Sequence, residues 1–224
     1  VNERQIAEYV HGRVILAGDA AHVHSPAGGQ GMNTGMQDAA NLAWKVAIVM
    51  HNAASPSLLS TYQAERHPVG AAVVKDTGRM LKMAMITNPV LRAIRGTGIH
   101  LAMSIPALQR AVGSMITEEI VNYRKGPLAV KGHGTHRSGD AFPDMPLEDG
   151  LATDLLRGHE AVLFSDAGDG PTTLGSGGLP ITLVRAPEIT SACGGDVLVR
   201  PDGVIAAIGE DIGPWIDRLC QGTP

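Results

Sequence analysis

The chain has 224 residues, of which 44% are hydrophobic and only 3% aromatic, and its formal net charge at pH 7 is -4. This composition provides an aliphatic core for one large or two small domains, but it lacks the basic stripe and stacking aromatics of a nucleic-acid-binding protein. The longest apolar stretch, residues 80–112, is interrupted by basic side chains and has no run of roughly 18 apolar residues, so we expect no membrane span.

The first part of the chain predicts a strand, a glycine-rich loop and a helix. Residues 13–17 form an apolar run that ends at Gly18, which is typical of a buried strand. A glycine-rich segment follows over 21–35. Small and apolar residues then repeat at helical spacing over 36–50, which predicts a helix there.

The middle part predicts helices. Ser57 is placed to cap the first of them. Pro68 is expected to kink or restart that helix, because proline lacks an N–H group and clashes with the preceding turn. Asn88-Pro89 and Ile105-Pro106 each have the pattern of a further helix start.

The last part has the pattern of a small α/β domain. Four short apolar runs predict strands over 161–164, 181–184, 197–199 and 204–207. Arg200-Pro201-Asp202-Gly203 joins the last two runs and predicts a hairpin, since Pro presets φ and Gly accepts a positive φ. Gly168-Asp169-Gly170 is expected to be a turn, and residues 214–219 a closing helix.

The fold class is therefore α/β: a strand–glycine-rich loop–helix region, a helical segment and a small α/β domain. The composition changes place these regions at 1–56, 57–125 and 138–224, with a linker rich in Gly, His and Lys over 126–137.

The segment that carries chemistry lies at the end of the first predicted strand. Asp19 places a carboxylate at the carboxyl end of that strand, where ligands bind in open α/β sheets and where a carboxylate can accept hydrogen bonds from sugar hydroxyls. The N–H groups of residues 31–34 are expected at a helix start, which favours an electron-rich ligand. The glycines of 28–31 allow a planar ring to lie against the backbone.

Residues 12–22 (GRVILAGDAAH) and 26–33 (PAGGQGMN) resemble the second FAD-binding motif of the single-component aromatic hydroxylases, the para-hydroxybenzoate and phenol hydroxylase family. Residues 39–45 and 62–68 are similar to the two helices that follow in that family. Residues 198–203 resemble the signature of its thioredoxin-like C-terminal domain, found in the phenol, resorcinol and polyketide hydroxylase branch. That domain has no CxxC here, so we expect it to be structural rather than redox-active.

The resemblance implies a role for individual residues. Asp19 would bind the ribityl chain of FAD, and Pro26 would lie near the reactive face of the isoalloxazine ring. Backbone groups of the following segment would line the ring. The implied cofactor-binding residues are Gly18, Asp19, Pro26, Gly28, Gly29, Gln30, Gly31, Met32 and Asn33. No catalytic residue and no metal ligand is implied.

The implied activity is a monooxygenase reaction. NAD(P)H would reduce FAD, and one oxygen atom of O2 would pass to a phenolic or polyketide-type aromatic substrate. The residues that select the substrate belong to parts of the family that have no counterpart in this sequence. A ubiquinone-pathway hydroxylase or an epoxidase shares the Gly-Asp motif, but the 198–203 signature argues against both.

The GxGxxG turn with which the family binds the ADP pyrophosphate has no counterpart here, and Gly175-Ser176-Gly177-Gly178 lacks the strand and helix that would make it a substitute. The chain thus resembles a C-terminal portion, and three origins stay open: a truncated product, a fragment or half of a split enzyme. The alternative function is a non-catalytic module that binds no FAD alone. We expect a homodimer or a partner chain that supplies the missing half.

Two smaller interpretations complete the sequence-based account. His22 and His24 lack further ligands at convincing spacing, so we expect His22 to be a packed, hydrogen-bonded residue beneath the flavin loop rather than a metal ligand. Cys193 and Cys220 form no metal or CxxC pattern and are typical of thiols in a reducing cytoplasm.

Overall fold

The structure, a computed structural model, describes residues 3–26, 29–109, 122–130, 134–148, 150–158, 160–168, 170–174 and 179–221. The chain divides into two compact units. The first comprises residues 1–38 and 67–121, and the second comprises residues 39–66 and 122–224.

The strands of the first unit form two small antiparallel pairs. β1 (Arg4–Gln5) pairs with β4 (His22–Val23), and β2 (Val10–His11) pairs with β3 (Val14–Ile15). The expected buried strand over 13–17 is therefore wrong in extent and burial, because β3 has two residues and Val14 is 61% exposed. β3 is instead one arm of a hairpin, which Gly12 closes with a φ of 58°.

The long helices among the described residues before 110 are α1 (Gly31–Met50), α2 (Ser60–Ala84) and α3 (Pro89–Met103). The helical periodicity begins only at residue 36, five residues after the observed start of α1, but the helix start expected at residues 31–34 is confirmed, since α1 begins at Gly31. The α3 prediction is confirmed: the Asn88 side chain accepts hydrogen bonds from the N–H groups of Val90 and Leu91 at 3.0 and 3.2 Å. The helix predicted from Ile105-Pro106 lies largely outside the described residues.

The start of α2 differs from the prediction in two ways. Ser55, not Ser57, is the capping residue, and it precedes a short 3-10 turn (Pro56–Leu59). Pro68 lies inside α2 and does not restart it. Ala64 and Pro68 are both exposed, so water can hydrate the carbonyl group that loses its N–H partner at the proline.

The second unit contains a five-stranded mixed sheet with the order β11-β10-β7-β9-β8. β7 and β9 pair in parallel, and the other neighbours are antiparallel. Its strands are β7 (Ala161–Ser165), β8 (Gly170–Leu174), β9 (Leu179–Arg185), β10 (Val197–Val199) and β11 (Ile205–Ile208). A separate small hairpin pairs β5 (Pro146–Leu147) with β6 (Gly150–Leu151). Two further helices are α4 (Pro187–Cys193) and α5 (Ile212–Gln221).

The sheet of the second unit is buried on both faces. Leu198 belongs to one hydrophobic cluster, with Trp44 and Trp215, whereas Val197 and Val199 belong to the other. This division follows from strand geometry, because successive side chains point to opposite faces. Leu128, within the stretch expected to be a linker, is also buried in the first of these clusters.

The sequence-based account of this region is confirmed for four strands and for the 200–203 hairpin. The N–H of Gly203 donates to the carbonyl of Arg200 at 2.9 Å, and Gly203 has a φ of 75°. β8 was not predicted: Gly170, expected to belong to a turn, begins this strand. β8 lies at the edge of the sheet, where a proline such as Pro171 is tolerated.

Candidate cofactor site

The Gly18-Asp19 segment forms a tight turn. Residues Gly18–Ala20 make one turn of 3-10 helix, closed by a 2.8 Å hydrogen bond from the N–H of Ala21 to the carbonyl of Gly18. Gly18 has a φ of 58°, a conformation that strongly favours glycine. The turn leaves Asp19 exposed, so its carboxylate is available to a ligand.

A buried carboxylate ties this turn to α1. The N–H of Gly18 donates to Asp38 Oδ2 at 3.0 Å, and His22 Nε2 lies 2.8 Å from the same oxygen. The side chains of His22 and Asp38 are each 1% exposed. The expectation that His22 is packed and hydrogen-bonded is therefore confirmed. Asp38, which the sequence-based account did not single out, is the residue that joins the turn to the helix.

Glycines permit the same two segments to approach closely. A Cβ atom placed on Gly18 would lie 3.6 Å from the Cα of Gly35, and one placed on Gly35 would lie 3.5 Å from the Cα of Gly18. Gly31 is more constrained, since its Cβ would lie 2.6 Å from Cε1 of His24. This close packing explains why α1 begins within a glycine-rich stretch that has low intrinsic helix propensity.

The first turn of α1 presents its backbone beside the loop that precedes it. The first N–H groups of an α-helix have no intrahelical acceptor, which makes those of Gly31, Met32 and Asn33 available to a ligand. The side chain of Met32 is 73% exposed. Gln30 differs, since only 4% of it is exposed and its carbonyl accepts from both the N–H and the hydroxyl of Thr34.

The loop itself folds back at Pro26. The N–H of Gly29 donates to the carbonyl of Pro26 at 3.1 Å, and Gly29 has a φ of 66°. Both residues are exposed. Gly28 lies outside the described residues. An exposed proline, glycines without side chains and an open helix start together give a surface that a flat ring can approach.

The chemistry of these groups fits the flavin end of FAD. The exposed Asp19 carboxylate is an acceptor for ribityl hydroxyls, and free N–H groups at a helix start suit the pyrimidine edge of the ring, which gains negative charge on reduction. A side chain at position 31 would meet the ring of His24, which would have to move to admit it.

A second polar cluster, which we call the charged cluster, is buried in the second unit. It consists of Asn41, Lys45, Glu65, Arg200 and Asp202. Arg200 makes a bidentate contact with Glu65 at 2.8 and 3.0 Å, and Lys45 Nζ lies 2.7 Å from Glu65 Oε2. Asn41 Nδ2 donates to both Glu65 and Asp202, at 2.7 and 3.0 Å. Two positive and two negative side chains are thus balanced at a site with almost no solvent exposure.

The electrostatics of the charged cluster follow from burial and proximity. Burial would raise the pKa of Glu65, but the positive charges of Arg200 and Lys45 lower it to about 2. Burial lowers the pKa of Lys45 to about 8, although Glu65 acts in the opposite direction. Burial would lower the pKa of Arg200, but the carboxylates of Asp202 and Glu65 raise it above its usual range. Its guanidinium also lies 5.0 Å from the ring centroid of Trp44.

The described residues contain no group of three or more His, Cys, Asp or Glu side chains that could hold a metal ion. No helix in the described parts of the chain is both long enough and apolar enough to cross a membrane.

The chain is similar in sequence and fold to known flavin-dependent proteins. A family model described as "FAD binding domain" matches residues 1–77. Anhydrotetracycline monooxygenase of Streptomyces rimosus is 38% identical over 214 residues, which cover 90% of this chain and 41% of that protein. The solved structure of OxyS anhydrotetracycline hydroxylase from Streptomyces rimosus superposes with a TM-score of 0.78 at 30% identity, covering 99% of this chain and 47% of that one. The rebeccamycin biosynthetic enzyme RebC, solved with reduced flavin, gives a TM-score of 0.73 at 29% identity, with coverages of 97% and 46%.

Residues 1–77 thus match an FAD-binding domain. More narrowly, the chain is similar over most of its length to part of the FAD-dependent aromatic and polyketide monooxygenases. The chain spans less than half the length of these relatives: 41% of the anhydrotetracycline enzyme and 47% of OxyS.

Proposed function

We propose that this chain forms the flavin-ring side of an FAD-dependent, NAD(P)H-consuming monooxygenase that hydroxylates a phenolic or polyketide-type aromatic compound. Bound FAD would supply the transfer of reducing equivalents and the activation of O2. The two free thiols, Cys193 and Cys220, fit a cytoplasmic location for this activity.

One observation carries the proposal. The Gly18-Asp19 turn and the first turn of α1 are held together by the hydrogen bond from Gly18 to Asp38 and by the close approach of Gly18 and Gly35. A carboxylate and a set of backbone N–H groups therefore belong to one rigid frame. Such a frame can recognise a ligand with hydroxyl groups at one end and an electron-rich ring edge at the other.

Within that frame each group has a separate role. The Asp19 carboxylate accepts hydrogen bonds from the ribityl chain, and the N–H groups of Gly31, Met32 and Asn33 donate to the ring. Pro26 and Gly29 shape the side of the loop that faces the ring, and the backbone of Gln30 continues it. Gly18 provides a turn whose φ of 58° strongly favours glycine, and we propose that Gly28 also contributes to the ring site.

A flavin titration tests this function. FAD is added to the purified chain, binding is followed by the change in flavin fluorescence, and retention is checked after desalting. Asp19→Ala should weaken binding by on the order of tenfold to a hundredfold, the range of a hydrogen bond to a charged group. Asp217→Ala, an exposed carboxylate on α5, is the control and should leave binding unchanged.

Activity is then tested with the chain joined to a polypeptide that supplies the nucleotide-binding half. Loaded with FAD, this assembly should consume NADPH faster when phenolic or polyketide aromatic compounds are added. If the chain holds no flavin, it is the non-catalytic module instead. If it holds FAD but Asp19→Ala binds as well as the unsubstituted chain, the assigned site is wrong.

A further inference from the structure

The position of Asp19 depends on a neighbouring backbone contact. Asp19 is exposed and lies on a turn of only three residues, so the direction of its carboxylate is set by the backbone that carries it. Two hydrogen bonds hold that backbone: the Gly18 N–H donates to Asp38 Oδ2 at 3.0 Å, and the carbonyl of Ala21, directly after the turn, accepts from the N–H of Ile6 at 3.0 Å. The first of these joins the turn to α1 through a side chain.

Asp38 is well suited to be a fixed anchor. It lies on α1, seven residues after the start of the helix at Gly31, and its side chain is 1% exposed. His22 Nε2 lies 2.8 Å from the oxygen that accepts from Gly18. Because a carboxylate only accepts hydrogen bonds, His22 Nε2 carries the proton and donates it. Asp38 Oδ2 therefore accepts hydrogen bonds from two residues: Gly18, which begins the turn, and His22, which follows it.

The same arrangement fixes the turn relative to the start of α1. Gly18 is adjacent to Asp19, and Gly35 lies in the second turn of α1, where its Cα approaches that of Gly18. The absence of side chains at Gly18 and Gly35 therefore lets the two segments meet, but it does not fix the orientation of the turn. The directional contact between the turn and α1 comes from the carboxylate of Asp38.

We propose that Asp38, supported by His22, is a positioning residue for flavin binding: it orients the Gly18-Asp19 turn so that the Asp19 carboxylate meets the ribityl hydroxyls while the ring lies at the start of α1. This inference rests on the proposed function. Asp38 is buried and touches no ligand. It would nevertheless account for the part of the flavin affinity that comes from the ribityl chain.

Two flavins separate this role from a general structural one. Riboflavin carries the ribityl chain, whereas lumiflavin has the same ring with a methyl group in its place. Asp38→Ala should weaken riboflavin binding by on the order of tenfold, the effect expected from a lost charge-assisted hydrogen bond. Lumiflavin has no ribityl chain, so its binding should change by less than about twofold, which is no more than a substitution far from the site would cause.

A double-variant comparison gives a second readout. If Asp38 acts through Asp19, then Asp38→Ala should have no further effect on riboflavin binding in a chain that already carries Asp19→Ala. Additive losses in the double variant would overturn the inference. Asp38→Asn, which keeps the side-chain volume and one acceptor oxygen, serves if Asp38→Ala does not fold, and its loss should again be confined to riboflavin.

The remaining outcomes distinguish this inference from the proposed function. If the unsubstituted chain binds neither riboflavin nor lumiflavin, the proposed function fails and the inference fails with it. If it binds both flavins equally well, the ring site stands but the inference is overturned. An equal loss of both flavins in Asp38→Ala also overturns it, since Asp38 would then only stabilise the fold.

Discussion

Replacement of Glu65 by Gln should strongly destabilise the second unit. Glu65 lies between Arg200 and Lys45, and its side chain has no solvent exposure. The substitution removes one negative charge from a cluster with two charges of each sign, and leaves a net positive charge buried. Removal of one partner from a buried ion pair costs about 3–5 kcal/mol.

The pKa of Glu65 gives an independent magnitude. The pKa is lowered from 4.5 to about 2, and each unit corresponds to 1.36 kcal/mol. The ionised form is thus favoured in the folded chain by about 3 kcal/mol, which agrees with the lower end of the range for a broken buried pair. The sign is clear: this stabilisation is present above pH 4.5 and is lost as the pH falls toward 2.

Tryptophan fluorescence during urea unfolding measures the free energy of unfolding of the second unit. The chain has two tryptophans, and both Trp44 and Trp215 are buried in one hydrophobic cluster of the second unit. Glu65→Gln should lower the free energy of unfolding by about 3 kcal/mol. Arg157→Gln is the control, because Arg157 lies in the second unit and pairs with Asp154 at 2.6 Å on the surface. Its loss should stay below about 1 kcal/mol. Equal losses in the two variants would refute the reasoning.

Two further predictions concern a lysine and two glycines. Because burial lowers the pKa of Lys45 from 10.5 to about 8, the unfolded chain binds more protons between these values, and the free energy of unfolding should rise from about pH 8 to 10.5. In a Lys45→Met variant, measured by urea unfolding at the same pH values, the free energy of unfolding should rise less over this range. An equal rise with pH in both proteins would contradict the prediction. Gly31→Ala should weaken FAD binding, since the new Cβ would meet His24 at 2.6 Å, whereas Gly98→Ala, which meets nothing within 4 Å, should bind normally. Normal FAD binding by Gly31→Ala, measured by fluorescence titration, would show that the loop adapts.

The sequence predicted those elements that depend on contacts between residues close together in the chain. Asn88 caps α3 as expected, and the 200–203 segment turns as expected, because in each case the contacts join residues a few positions apart. The helical periodicity of residues 36–50 alone did not reach the start of α1 at Gly31. The first turns of α1 contain Gly31 and Gly35, whose value lies in close packing against His24 and Gly18 rather than in helix propensity.

Contacts between distant residues were beyond a single sequence. Glu65 and Arg200 are 135 positions apart, so the charged cluster has no local pattern, even though both residues lie in segments that resemble the family. Asp38 was missed for a related reason. It follows the motif as one polar residue on a helix, and only the fold brings it to the N–H of Gly18.

The central claim is that flavin binds along residues 18–33, and chemical-shift mapping of the backbone amides tests it most directly. The isotope-labelled chain is titrated with riboflavin, and the shift of each assigned N–H is measured. The account predicts the largest changes at Gly18, Asp19 and residues 31–33, with little change along α5. Changes confined to another region, such as the 330 Å³ cavity beside Cys193, would contradict the account, as would a spectrum unaffected by riboflavin.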